Sequence, residues 1–185
     1  MKRLVIKGIT LLLIVAVVVG LSACYGININ SSITGSQDIE TREYTFSDFN
    51  SVEVMSPFQV EISRSDEYRV SVTADDNLFD YIEVTQMGDT LRLRLKPFFS
   101  FHSTTFRAEI TLPELRALEL SGASSTEVGE FQTIDDVDID VSAASKLDFV
   151  GLQVSNITMD VSGASRVTGY VKAVAADFEV SGASH

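Results

Sequence analysis

The chain has 185 residues, with 26 Asp and Glu against 14 Lys and Arg, giving a net charge of −12 at pH 7. So acidic a chain repels phosphate backbones, which proteins grip through Lys and Arg, and this argues against nucleic acid as a partner. The single cysteine excludes a disulfide within the chain, and with only two histidines it leaves a poor donor set for a His/Cys metal site.

The chain opens with three zones. Lys2, Arg3 and Lys7 make a basic start, Ile9 to Val19 is apolar apart from Thr10, and Leu21-Ser22-Ala23-Cys24 places small residues before the cysteine. That order is a secretory signal peptide over residues 1–23. Its apolar run is shorter than the ~20 residues that span a bilayer. Leu-Ser-Ala-Cys resembles the lipobox of bacterial lipoproteins, which implies a diacylglyceryl group on Cys24 and a new N-terminus there. An ordinary signal peptide with a small apolar residue at the cut is the alternative. Removing residues 1–23 takes away three bases and no acid, so the net charge moves from −12 to −15. Cationic groups and divalent cations are then better partners than anionic surfaces. The expected location is extracytoplasmic, anchored by lipid to the bacterial cell membrane or the outer membrane.

Residues 24–40 hold the lipidated Cys24 and a segment rich in Ser, Asn and Gly without hydrophobic period, read as a flexible tether. Beyond it, apolar residues alternate with polar ones: Phe58, Val60, Ile62; then Tyr68, Val70, Val72; then Leu91, Leu93, Leu95. Period two predicts strands with one buried face. Turn residues separate them at Ser65-Asp66, Asp75-Asp76-Asn77, Gly88-Asp89 and Pro97, and Asn77 to Tyr81 is long enough for one short helical turn.

The second half repeats one phrase four times: Leu118–Ser124, Ile139–Ser145, Met159–Ser165 and Phe178–Ser184. Their lead serines, Ser121, Ser142, Ser162 and Ser181, are 21, 20 and 19 residues apart. A near-constant short period indicates a solenoid, and about twenty residues without a helical stretch suit one coil of parallel strands. The fold expected is all-β, a single-domain right-handed parallel β-helix over residues 41–185 with coils of about 20 residues; an antiparallel meander is the less simple reading. Gly is expected to turn each corner, with Ala143 in its place showing that a positive φ is not obligatory there. Ala123, Ala144, Ala164 and Ala183 are expected inside the corner, and the serines in hydroxyl ladders between coils. The phrase at Ser184-His185 stops within a repeat, so truncation at this end, or a covering partner, is expected.

These four phrases, with the stretch from Phe58 to Ile82 and the turn at Gly88-Asp89-Thr90-Leu91, resemble the head GIN family of adhesins. The resemblance covers residues 41–185 and implies a parallel β-helix related in shape to pectin lyases without their catalytic residues, and a role in adhesion.

No catalytic set stands out, and a non-enzymatic protein is expected: His102 and His185 are the only histidines and there is no Gly-x-Ser-x-Gly elbow. Glu119, Asp140, Asp160 and Glu179 occupy one place in the four repeats, and stacking would line them up about 4.8 Å apart. They are candidate Ca²⁺ ligands or a face for a cationic partner; equally, they are the solvated outer face any exposed strand needs. No other cofactor is expected. Phe98, Phe99, Phe101 and His102 form a candidate patch for a cell-surface protein or glycan, against the plainer reading of aromatic packing. The expected function is adhesion or surface interaction, with self-association through an open coil edge. The alternatives are a polysaccharide-acting enzyme of pectin-lyase-like shape and an envelope sensor or scaffold.

Overall fold

Alternation of apolar and polar residues governs almost every element. The structure, a computed structural model, describes residues 31–133 and 135–185. The expected signal peptide and Cys24 lie outside the described residues. In chain order the strands are β1 (Ser31–Thr34), β2 (Ile39–Tyr44), β3 (Ser51–Val54), β4 (Gln59–Arg64), β5 (Arg69–Asp75), β6 (Ile82–Met87) and β7 (Thr90–Leu95). Then follow β8 (Phe99–His102), β9 (Phe106–Leu112), β10 (Ala117–Leu120), β11 (Ser125–Gln132), β12 (Val137–Val141), β13 (Lys146–Val161) and β14 (Arg166–Val180). A 3-10 turn spans Asp76–Tyr81, where the sequence predicts a short helical turn.

Two parallel ladders carry the body. In the first, β7, β3, β10, β12 and the second halves of β13 and β14 lie side by side. Val52, Leu91, Leu118, Ile139, Met159 and Phe178 form one inward column, and the first five are buried. In the second, β9, β4, β11 and the first halves of β13 and β14 stack in the same way. The long β13 belongs to both ladders, so one mixed sheet of twelve strands wraps nearly closed around the apolar core. Each large side chain buried there contributes roughly 1.5–3 kcal/mol.

The architecture is all-β, but its sheet is mixed where a uniformly parallel one is expected. The pairs β2–β5, β5–β9 and β6–β7 are antiparallel. The reason lies in the connections: Gly88, at φ 64°, and Asp89 join β6 directly to β7, and so short a link permits only a hairpin. Residues 31–40, expected within a flexible tether, are structured. Within residues 31–40, β1 pairs with β8, Gly35 is buried, and β2 starts at Ile39. Buried Asp75 fixes this segment by accepting the Gln37 N–H at 2.7 Å and the Thr105 N–H at 2.8 Å.

The corners correct three expectations. Ala143 has φ 64°, in the same left-handed region as Gly122, Gly163 and Gly182, so the conformation persists without glycine. Hydrogen bonds between stacked corners hold it there: Ala164 N–H donates to the Ala143 carbonyl at 2.7 Å, and Ala183 N–H to the Gly163 carbonyl at 2.8 Å. Ala123, Ala144, Ala164 and Ala183 point outward and are exposed, while Ser124, Ser145 and Ser165 are the buried corner residues. Their hydroxyls form no ladder, and each Oγ lacks a hydrogen-bond partner. Inward space at the corner fits one small side chain, and the serine takes it.

Candidate functional site

The outward residues of the first ladder make a continuous row across six strands: Arg92, Glu53, Glu119, Asp140, Asp160 and Glu179. The four repeat acids fall in register, as their spacing predicts. The row also reaches two residues outside the repeats. Arg92 pairs with Glu53, which is 7% exposed, so one end of the row is neutralised. Strand spacing of about 4.8 Å leaves the remaining carboxylates close enough to repel.

Their protonation responds to burial first and to this crowding second. Burial, then the negative charges of Glu53 and Asp140, pushes the Glu119 carboxyl above its ordinary value. Burial, then Asp160, does the same for Asp140. An open groove of about 530 Å³ runs along this face, lined in part by Glu53, Arg92, Glu119, Asp140, Asp160 and Thr158. The carboxylates follow a line instead of converging on a point. Among the described residues, no group of three or more His, Cys, Asp or Glu is arranged to hold a metal ion.

A second acidic row, missed in the sequence, lies on the outer face of the other ladder. Glu109, Glu61, Glu127 and Asp148 are successive partners there, flanked by the row Arg107, Gln59, Ser125, Lys146 and Arg166. Hydrogen bonds from Lys146 and then Thr168 hold the Asp148 carboxyl below its ordinary value. Its signal was present: Val60-Glu61-Ile62, Ala108-Glu109-Ile110 and Thr126-Glu127-Val128 share one alternation. Only the fold reveals that they are neighbours. A third cluster joins Glu114, Arg116 and Asp135 at the edge of the body, with Arg116 reaching Asp135 at 2.8 Å and Glu114 at 3.1 Å.

The aromatic candidates divide. Phe99 stacks edge-on against Tyr81 at 4.8 Å between ring centres, and Phe101 packs against Phe106 at 5.5 Å. Phe106 in turn meets the fully buried Phe58 at 5.5 Å. Phe99 and Phe101 are therefore half-buried supports of the core. Phe98 differs: it is 83% exposed and holds φ 72°. His102 is exposed, and its backbone carbonyl accepts the Gly35 N–H at 3.2 Å. His185 is also exposed and stacks by backbone hydrogen bonds on Ser165 and Val167. Among the described residues, no helix is long and apolar enough to cross a membrane.

A crystal structure described as a putative adhesin from Parabacteroides distasonis superposes with a TM-score of 0.59 at 18% identity, over 81% of this chain and 73% of that one. A putative adhesin from Bacteroides fragilis superposes with a TM-score of 0.53 at 14% identity, over 82% of this chain and 97% of that one. A putative lipid binding protein from Parabacteroides distasonis gives 0.57 at 23% identity, over 81% of this chain and 76% of that one. These likenesses establish a shared fold. No curated protein sequence matches the chain. The profile of the family described as "Putative auto-transporter adhesin, head GIN domain" matches residues 48–185, most of the sequence, and the chain belongs to that head GIN domain family.

Proposed function

We propose that the mature chain is a lipid-anchored, non-enzymatic module of the bacterial cell envelope, built as a right-handed parallel β-helix, that adheres to cell-surface proteins or glycans through its outer faces. The observation that carries this reading is the in-register row from Glu53 through Glu119, Asp140 and Asp160 to Glu179. Parallel strands at a period near 20 residues turn one repeated phrase into a long face of one charge. Such a face suits repeated cationic groups on a partner, and it favours fast, salt-sensitive encounter over deep enclosure of a small substrate. The adhesin descriptions of the structural neighbours and the lipobox at Leu21–Cys24 support the same reading.

The test is a binding screen of the purified chain against glycan arrays and intact cells at low and high salt. Parallel samples carry Glu119→Gln, Asp140→Asn, Asp160→Asn and Glu179→Gln together. Selective binding that weakens in the variant and at high salt supports the adhesive face. Cleavage of a glycan in the same wells, seen by mass spectrometry, overturns it in favour of an enzyme.

A further inference from the structure

We propose that the turn Lys96-Pro97-Phe98-Phe99 is a second membrane contact, in which Phe98 enters the interfacial zone of the bilayer that holds the acylated Cys24. The inference rests on the lipid-anchor reading above.

Phe98 is the anomaly of the aromatic cluster. Its neighbours Phe99 and Phe101 turn inward to Tyr81 and Phe106, while Phe98 stays 83% exposed. It follows Pro97 at φ 72°, in a turn position that favours glycine. A bulky residue there costs roughly 1–2 kcal/mol. A strained aromatic that packs on little of its own molecule is explained by a partner outside it. Exposed Lys96 beside it supplies the basic flank typical of side chains at a membrane surface.

Position in the fold names that partner. β8 starts at Phe99 and pairs with β1, and β1 starts at Ser31. Seven chain steps lead from Cys24 to Ser31, a reach of at most about 24 Å even when fully extended. The anchor therefore holds the β1–β8 end of the body close to the lipid. β7, which leads into the turn, and β14 lie at opposite ends of the first ladder. Five strand steps between them amount to about 24 Å. Lipid and aromatic together would fix two points, with the ladders rising from the membrane and β14 outermost.

The chain contains no Trp, so one substitution gives a site-specific fluorescent reporter. The acylated full chain carrying Phe98→Trp is reconstituted in phosphatidylcholine vesicles with and without lipids brominated on the acyl chains. Val174→Trp, at an 87% exposed site on β14, serves as the contrast. The expected result is blue-shifted emission from F98W that brominated lipid quenches, with V174W emission unshifted and unquenched. A chain that is acylated and floats with the vesicles, yet gives F98W emission like that in water, overturns the second contact while the anchor reading stands. Mass spectrometry showing an unacylated Cys24 defeats the anchor reading, and this proposal with it.

Discussion

At the scale of single residues, the corners store two kinds of cost. Ala143 sits in a left-handed conformation that disfavours any side chain, so Ala143→Gly should raise stability by about 0.5 kcal/mol after glycine's larger entropy loss is deducted. The converse change is not symmetric. A Cβ added at Gly163 would lie 2.4 Å from the Ala143 carbonyl oxygen, which is backbone and cannot step aside. Gly163→Ala should therefore lower stability by about 2–3 kcal/mol. Urea melts of the two variants test both signs. The buried, unpartnered hydroxyls make a further case. An unsatisfied buried donor costs more than its removal, so Ser145→Ala should leave stability unchanged or raise it by up to about 1 kcal/mol. A loss above that size would mean that Ser145 has a hydrogen-bond partner after all.

At the scale of strands and rows, burial and then like charges in register set the pH response. The Asp140 carboxyl has a raised pKa in the folded chain, so the folded state binds that proton more tightly than the unfolded state. Its charge thus costs stability in full above the folded pKa, and the cost fades as pH falls from there towards the ordinary value of 3.8. Asp140→Asn should stabilise the protein at pH 7 by roughly 0.5 kcal/mol, as expected for screened surface repulsion, and make no difference near pH ~3. Denaturant melts at both pH values measure this. The aromatic cluster separates support from display: Phe101→Ser should cost about 2–3 kcal/mol, and Phe98→Ser less than about 0.5. The parallel ladders were legible because the phrase from Leu118 to Ser124 recurs with its hydrophobic residues two apart. The antiparallel strands β2, β5 and β6 were not, because pairing direction depends on connections that alternation does not encode. The second acidic row escaped for a related reason: Glu61 and Glu109 become neighbours only through the pairing of β4 with β9. Ala143 misled because identity suggests conformation, whereas the hydrogen bonds of the stacked corners decide it.

At the scale of the whole molecule, charge and core oppose each other. The acids outnumber the bases 26 to 14, and two rows concentrate the excess on the outer faces of the ladders. Salt shortens the reach of that repulsion, so the melting temperature should rise as sodium chloride increases to about 0.5 M. Calcium at equal ionic strength should give the same rise, because the carboxylates form lines without a converging cage. A larger rise with calcium would restore the ligand reading for Glu119, Asp140, Asp160 and Glu179.

The uneven repeat lengths have a consequence for how the molecule tolerates change. Phe149 pairs with Gly169 and Leu152 with Val171, so Val150 and Gly151 stand against Tyr170 alone. Gln132 pairs with Gln153 and Val137 with Ile157, so a sequence separation of five on one run meets one of four on the next. In both places the difference is absorbed before the next corner, where Ser162 and Ser181 again bond to the rung below. Each corner thus restores the phase of the coil that follows, and length errors do not propagate along the stack. An added loop at the Val150-Gly151 bend is a local edit, whereas one residue inserted between Ser142 and Ser145 would displace every rung after it.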